Sequence, residues 1–462
     1  MPKAISTLVA GNKVKDKHTK HYGEPIVWRV VAKSHTGYPV NSVTLLSDNI
    51  IRITLFDASE PTNPDTYRKD FGNPRYLYSN IRQWLNSKNQ NWYTARHTYD
   101  APPNSGYNAY YNVAGFLSDF SWPIMLKLLD TTFNTKCLSI DGSGTDVITD
   151  KVFLFSTAEM GSGETGEGAA IAYFNTTSTR LCTPTAQAVD NSEYKNNDLA
   201  TTLNYGWWLR TATPGLTAQT YANIISSTGS YASNERAYSH KVGLRPAFNI
   251  SSDVLVSDTV DTDGAYIMLW PPVISGADTN LGALITPPTI SFTLDERVPS
   301  DFVTVVVSLD GSPVWHVGNV TLGQEYSYTL TASQFLSTSN GQPHTIKITA
   351  TNQDSISTTR TYTFTRVVNA VDIQLVPQQT GKVAEQAIVI PTCLADPANV
   401  AITVSNNALD TAPAWEIAKQ GVFHKFANKV ADGNGAISAR AVITPTAGVP
   451  NVYCSGLSIL YF

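Results

Sequence analysis

The sequence predicts a mainly β protein with a few short helices, in which an α+β domain precedes two β-sandwich domains. Three observations predict this architecture. Nearly all recognisable helix signals, and seven of the nine Trp residues, lie within residues 1–272. A Pro- and Gly-rich stretch, 273–288, reads as a linker. From Thr289 onward apolar and polar residues alternate with the period of two that is typical of β-strands.

Composition limits the classes of function. The 462 residues include 32 Lys+Arg and 37 Asp+Glu, a formal net charge of -5 at pH 7. This weak acidity argues against nucleic acid as a partner, because such proteins normally carry a basic face. Charged residues make up only 15% of the chain, against roughly 25% in an ordinary soluble domain. We therefore expect a surface rich in hydroxyl and amide side chains.

No apolar run has the length of a signal peptide or of a membrane span. The sequence therefore predicts a protein that has no membrane partner and is not exported by a standard signal.

Apolar runs and capping residues place the elements of the first domain, 1–272. Ser79 and Ser121 are each positioned to cap a short helix, over 80–85 and 122–129 respectively. Pro123 is compatible with the first turn of the second helix. The predicted strands are 26–31, 43–46, 151–156, 207–210 and 243–248.

The remaining sequence predicts two further β domains, 289–367 and 368–462. Short alternating strands separated by turns such as Asp310-Gly311 indicate an immunoglobulin-like β-sandwich in the first of them. The chain ends on the apolar run 457–462, which we expect to be paired inside a sheet or in an oligomer interface.

Candidate phosphate and calcium sites are better explained as loops. The segment 161–166 matches GxGxxG, but Glu164 and Glu167 would place negative charge beside a bound phosphate. The acidic segments 141–146 and 261–264 have oxygen ligands at calcium-loop spacing, yet neither is followed by the bidentate Glu that such loops require. Asx-type turns explain both acidic segments.

The sequence predicts no cofactor, no metal and no catalytic residue. Its eight His show no zinc-binding spacing, and no nucleophile elbow or carboxylate pair stands out. A glycosidase-like pair that forms only in three dimensions is left open. The four cysteines are far apart and are interpreted as buried thiols, not a disulfide framework: Cys137, Cys182, Cys393 and Cys454.

Several motifs in order carry a family resemblance over roughly 20–252. They are WWLRT at 207–211 and VGLRPAFNI at 242–250, preceded by segments at 26–30, 79–86 and 150–156. This part of the chain resembles a C-type-lectin-like domain of unassigned function, common in Gram-positive bacteria and their phages. It is similar to the target domains of diversity-generating retroelements. The calcium-binding triplets of sugar-binding lectins and the paired cysteines of formylglycine-generating enzymes are absent.

The resemblance implies a ligand-binding face within 211–240, between the two closing strands. Its polar and aromatic side chains suit hydrogen bonding and sugar stacking, although ordinary solvated loop residues would look the same. Trp207 and Trp208 are expected in the core. The candidate ligand-binding residues are Tyr221, Asn223, Tyr231, Asn234, Arg236 and Tyr238.

The C-terminal domains resemble the immunoglobulin-like repeats and the terminal β domain of phage structural proteins. Together these resemblances imply a bacteriophage virion surface protein that adheres non-covalently to the host through its lectin-like domain. Its expected partners are other virion proteins, a host cell-surface glycan or protein, and further copies of itself, in a trimer. The alternative is a purely structural virion component, such as a decoration, collar or baseplate protein. A third hypothesis is a cell-wall-degrading enzyme.

Overall fold

The structure is a computed structural model with mainly β secondary structure and a few short helices, which confirms the predicted fold class. It divides into two compact units, with the boundary between Trp270 and Pro271. The helices that the structure describes are all too short or too polar to cross a bilayer. The described residues are 2–104, 108–214, 219–295, 303–368, 370–394, 397–431, 435–444 and 453–462.

The first unit contains sixteen described strands and five short α-helices. The strands are β1 (Lys3–Ala4), β2 (Lys13–His21), β3 (Glu24–Lys33), β4 (Ser42–Ser47), β5 (Arg52–Thr54), β6 (Leu128–Leu129), β7 (Thr131–Lys136), β8 (Thr145–Asp150), β9 (Val152–Phe153), β10 (Trp207–Ala212), β11 (Tyr221–Ile225), β12 (Ser233–Arg236), β13 (Val242–Leu244), β14 (Ala247–Ser251), β15 (Leu255–Val260) and β16 (Ala265–Leu269). The helices are α1 (Thr66–Phe71), α2 (Asn80–Leu85), α3 (Trp122–Lys127), α4 (Thr177–Arg180) and α5 (Ala186–Asp190).

Two sheets organise the first unit. The larger has the order β1-β15-β16-β2-β3-β4-β14-β6, with β9 also paired to β14, and the smaller has the order β12-β11-β10-β13-β5. The core includes Trp28 and Trp84 and, as the sequence predicts, Trp207 and Trp208, all fully buried. Strand β12 is an edge strand of the smaller sheet and, among the strands that the structure describes, is paired on one side only, with β11.

The capping residues and bounds predicted from the sequence are more accurate for α2 than for α3. At α2 the Ser79 hydroxyl accepts the backbone N–H of Arg82 at 3.4 Å, as expected of a cap. At α3 Ser121 is the N-cap residue, as predicted, but its hydroxyl donates to Asp16 at 2.6 Å and makes no capping hydrogen bond. This helix also ends at Lys127, and the next two residues form β6, which pairs with β14. The predicted strand 151–156 is likewise shorter and comprises only β9.

The second unit contains fifteen described strands and one α-helix. The strands are β17 (Thr279–Leu284), β18 (Thr289–Thr293), β19 (Val303–Leu309), β20 (Ser312–Val317), β21 (Glu325–Thr329), β22 (Pro343–Asn352), β23 (Ser357–Arg366), β24 (Val371–Gln374), β25 (Gln378–Gln379), β26 (Gln386–Leu394), β27 (Val400–Ser405), β28 (Glu416–Ala418), β29 (His424–Lys425), β30 (Ala436–Ile443) and β31 (Tyr453–Tyr461). The helix is α6 (Ala332–Ser337).

The first half of this unit pairs its strands in the order β17-β23-β22-β19-β20, beside the pair β18-β21. Asp310 and Gly311 both have positive φ (49° and 84°) and make the predicted tight turn between β19 and β20. Strand β17 falls within the predicted linker, yet it pairs in parallel with β23. The residues 279–284 are therefore part of this sheet.

The second half has a hydrophobic cluster of its own. Its sheets have the orders β24-β30-β27-β28, with β25 also on β30, and β29-β26-β31. The C-terminal strand β31 pairs with β26, which confirms the expectation that the apolar end of the chain lies in a sheet.

Candidate functional site

An open cleft of about 630 Å³ lies at the β12 edge of the smaller sheet of the first unit. One side is the hairpin β11–β12, and the other is the segment 194–206 that leads into β10. We call it the hairpin cleft. Its side chains are mainly aromatic, hydroxyl and amide groups: Tyr194, Asp198, Leu203, Asn204, Tyr205, Ile224, Ser226, Ser227, Ser233, Asn234, Glu235, Lys241 and Val242.

The hairpin presents alternate side chains to the two faces of its sheet. Ile224 is paired with Ser233, and Glu235 with Ala222. Because directly opposed residues of antiparallel strands share a face, Ile224, Ser233 and Glu235 point to one side, where all three line the hairpin cleft. Strand β11 is held in turn by β10, whose six residues are all buried. The cleft wall therefore rests on a rigid core strand.

Two hydrogen-bonded residues fix the remaining walls. The Tyr205 hydroxyl donates to the backbone carbonyl of Lys241 at 2.8 Å, and burial raises the pKa of Tyr205, which keeps this donor protonated. The buried Asn108 donates from Nδ2 to the carbonyl of His240 at 2.7 Å. Its Oδ1 accepts the N–H of Glu193 at 2.7 Å. These hydrogen bonds fix the segment before β10 and the segment before β13 relative to each other.

The hairpin cleft carries little net charge. Glu235 Oε1 and Lys241 Nζ form a half-exposed ion pair at 3.4 Å. Asp198 adds a second carboxylate to the lining. Burial, helped by the charge of Lys241, lowers the pKa of the adjoining His240. Such a surface can hydrogen-bond a neutral polar ligand without desolvating many charges.

The six predicted site residues do not form one surface. Asn234 borders the hairpin cleft, but it is paired with Asn223, so its side chain lies on the other face of the hairpin from Ile224, Ser233 and Glu235. Tyr221 and Arg236 face away from it as a cross-strand pair, with Arg236 Nε donating to the Tyr221 hydroxyl at 3.2 Å. The guanidinium of Arg236 also lies 3.4 Å from the ring centre of Phe71. The polar groups of Tyr221 and Arg236 therefore already have partners within the protein.

The other three residues are partly or wholly buried. Asn223 is 8% exposed and accepts a hydrogen bond from the Thr213 hydroxyl. Tyr231 packs against the core with the Arg180 guanidinium 5.2 Å from its ring centre, and Tyr238 also packs against the core. Residues 215–218 of the predicted face lie outside the described residues. That the six residues bind a ligand stays a prediction.

Sequence reasoning missed the opposite wall of the cleft. The segment 194–206 contributes Tyr194, Asp198, Asn204 and Tyr205, none of which was a candidate. A signal was available, since this Asn-rich stretch directly precedes the buried strand β10.

Arginine and lysine side chains occupy the acidic segments that resemble calcium loops. Arg68 binds both carboxylate oxygens of Asp141 at 2.8 Å, and Arg75 similarly binds Asp146. Lys15 lies 3.0 Å from Asp261. Within the described ranges, no three His, Cys, Asp or Glu side chains are grouped so that they could hold a metal ion.

One family model matches part of the first unit. Residues 41–252 match the family model of DUF6273, a domain of unknown function, which confirms the predicted resemblance to a domain of unassigned function. No curated protein is similar enough to count as a relative.

Several solved structures are similar to parts of the chain, with low sequence identity and low TM-scores. Escherichia coli alpha-2-macroglobulin is 10% identical with a TM-score of 0.18, over 50% of this chain and 27% of its own. A carbohydrate-binding module of the β-sandwich superfamily is 10% identical with a TM-score of 0.13, over 41% and 93%. A Ca²⁺-stabilised, ice-binding adhesin from an Antarctic bacterium is 11% identical with a TM-score of 0.16, over 51% and 60%.

Proposed function

We propose that this chain is a bacteriophage virion surface protein whose first unit, a C-type-lectin-like domain, binds the host cell surface non-covalently. The observation that carries the proposal is the hairpin cleft, an open and nearly neutral surface of Tyr, Asn and Ser side chains on a rigid strand. The second unit would carry this domain as a stalk or anchor. The motifs shared with phage structural proteins support the virion context.

The cleft chemistry favours a neutral polar ligand, either a glycan or a polar protein surface. Its hydroxyl and amide groups offer both donors and acceptors, and Tyr194 offers an aromatic ring. A shallow site of this kind gives weak affinity for one copy. Multiple copies on one particle would raise the overall affinity through avidity.

Binding of the full-length chain, displayed in many copies on fluorescent beads, to a panel of Gram-positive cells and their isolated wall glycans tests the proposal. We expect saturable binding that falls at least tenfold in the double variant Asn204→Ala, Lys241→Ala, because both exposed side chains line the cleft. The matched control is Lys127→Ala, which removes a comparably exposed lysine, paired with Asp253, outside the cleft. Equal binding of both variants, or no binding by the parent to any cell or glycan, would overturn the adhesin proposal.

A purely structural virion role is the second candidate, and exposed apolar side chains in the second unit favour it. Ile417, Phe423 and Phe462 are 83%, 58% and 61% exposed. Such side chains suit burial against another virion protein or further copies of the chain. Incorporation into particles without any cell binding would support this role. In either role we propose a homotrimer, which sedimentation equilibrium tests as three times the 50.2 kDa chain mass.

We propose that the protein is not an enzyme, although the hairpin cleft contains two carboxylates, Asp198 and Glu235. A pair of carboxylates is what glycoside hydrolysis requires. The purified chain should release no soluble fragments from bacterial cell walls. Release that is abolished by Asp198→Asn or Glu235→Gln would establish the hydrolase hypothesis instead.

A further inference from the structure

We propose that Cys393 and Cys454 form an intramolecular disulfide that covalently fastens the C-terminal strand β31 to β26. The proposal concerns the second unit and does not depend on the proposed adhesion. It rests on the strand register, which makes the two cysteines direct partners.

The fold places the two cysteines directly opposite each other. They are separated by 61 positions in the chain (454 − 393), yet they are register partners in the antiparallel pair β26–β31. Opposed residues in such pairs have Cα atoms about 4.5–5.5 Å apart, within the roughly 4.4–6.8 Å span of disulfides. Thr392 is paired with Gly456, and the register shifts by one residue before Cys393, which is therefore paired with Cys454. The Cys454 thiol donates to the Gly456 carbonyl at 3.4 Å, and it lies close enough to Cys393 to help burial raise the pKa of that thiol.

The other two cysteines have different surroundings. Cys182 is buried in the first unit, where its thiol donates to the carbonyl of Asp48 at 3.4 Å. Cys137 is half-buried, and burial together with the neighbouring Asp146 raises the pKa of its thiol. The sequence-based interpretation of four buried thiols holds for Cys182 and is wrong for Cys137, Cys393 and Cys454, which are half-buried; all four are free thiols in this structure.

The chemistry is thiol–disulfide exchange with the disulfide of a low-molecular-weight thiol. One protein thiolate attacks the small disulfide, forms a mixed disulfide and expels one small thiol. The second protein thiolate then attacks the mixed disulfide, closes the protein S–S bond and expels the second small thiol. Two protons leave the protein thiols, and its two electrons reduce the small disulfide. Burial and the neighbouring Cys454 raise the pKa of Cys393, so the exchange should be faster above pH 8.5 than at pH 7.

The crosslink would hold an edge strand that, in the part of the chain that the structure describes, is paired on one side only. Among the described residues β31 pairs only with β26, and it ends the three-stranded sheet. Leu460 and Tyr461, near its end, are 57% and 43% exposed. A disulfide closing the intervening loop restricts the unfolded chain and prevents β31 from leaving the sheet.

The test uses the full-length chain, first reduced and then equilibrated with oxidised glutathione at pH 8.5. We expect two of the four thiols to disappear, and a non-reduced digest to contain one peptide pair that joins Cys393 to Cys454 within a single chain. The Cys137→Ser variant should still form this link, whereas Cys454→Ser should not. Four persistent thiols, or a link found only between chains, would overturn the proposal.

A stability measurement provides a second test. Oxidation should raise the calorimetric unfolding temperature of the second unit by roughly 5–10 °C. The Cys393→Ser variant treated in the same way should show no shift. An oxidised parent whose unfolding temperature is unchanged would show that the link does not fasten β31.

Discussion

The hydroxyl of Tyr205 donates a 2.8 Å hydrogen bond to the backbone carbonyl of Lys241, and both residues line the hairpin cleft. Tyr205 is only 7% exposed, so this bond lies largely out of water. It joins the segment that enters β10 to the segment that enters β13. The spacing between these two parts of the cleft therefore depends on one phenol group.

Replacing Tyr205 by Phe should lower the free energy of unfolding by about 1 kcal/mol, because the Lys241 carbonyl loses its donor. Bead binding to host cells should fall as well, since the cleft wall is no longer fixed. Urea denaturation measures the first effect. Tyr194→Phe is the control, because the Tyr194 hydroxyl accepts its bond from the exposed Asn196. Equal stability of Tyr205→Phe and the parent would contradict the role given to this bond.

Gly243 allows β13 to approach the start of β10. Its N–H donates to the Gly206 carbonyl at 2.9 Å, and a Cβ at Gly243 would lie 2.9 Å from that oxygen and 2.7 Å from the Ile50 side chain. We expect Gly243→Ala to destabilise the first unit by about 1–3 kcal/mol through overpacking. Gly381→Ala is the control, because a Cβ there meets nothing within 4 Å. Chemical denaturation that gave both variants the stability of the parent would exclude the clash.

The sequence predicted correctly those elements that are determined by interactions between residues close together in the chain. The Ser79 cap, the Asp310-Gly311 turn and the alternating strands of the second unit all depend on neighbours in sequence. The capping hydrogen bond at α3 does not form because Asp16, 105 positions away, binds the Ser121 hydroxyl. Pattern reasoning has no access to such a distant competitor.

The candidate site was only partly predictable for the same reason. The hairpin β11–β12 could be placed because the motifs on either side of it are recognisable. The cleft, however, depends on long-range bonds such as that from Asn108 to His240, 132 positions apart. Alternation along a strand also could not reveal that Arg236 is already held by Phe71 and Tyr221.

Breaking the buried ion pair of Arg210 and Glu159 should lower the free energy of unfolding far more than breaking an exposed pair. Arg210 and Glu159 are both fully buried, with Nη1 2.7 Å from Oε2 and Nη2 3.0 Å from Oε1. Arg210→Met would leave the Glu159 carboxylate in the core without its counter-charge, which typically costs about 3–5 kcal/mol. The matched control is Arg440→Met, because Arg440 and Asp372 are about half exposed, and such pairs contribute about 0–1 kcal/mol. Similar losses in the two variants, measured by denaturant unfolding, would contradict this difference.

His21 predicts how the stability of the first unit depends on pH. Burial lowers the pKa of His21 below its usual 6.5, and the charge of Arg52 acts in the same direction, although Asp119 binds Nδ1 at 2.6 Å and opposes both. The unfolded chain therefore binds a proton at a higher pH than the folded chain. The contribution of His21 to the free energy of unfolding must fall as the pH decreases below about 6.5, by at most about 1.4 kcal/mol per pH unit.

The contribution of His21 is measured as a difference, because burial also raises the pKa of carboxyls such as Glu167, which favours the folded state as the pH falls. We expect the urea-unfolding free energy of the parent to drop more steeply between pH 7.5 and 5.5 than that of His21→Gln, which has no imidazole to protonate. His18→Gln is the matched control, since His18 is exposed on the same strand β2 and should leave the slope unchanged. Parallel slopes in the parent and His21→Gln would show that His21 is not protonated preferentially in the unfolded chain.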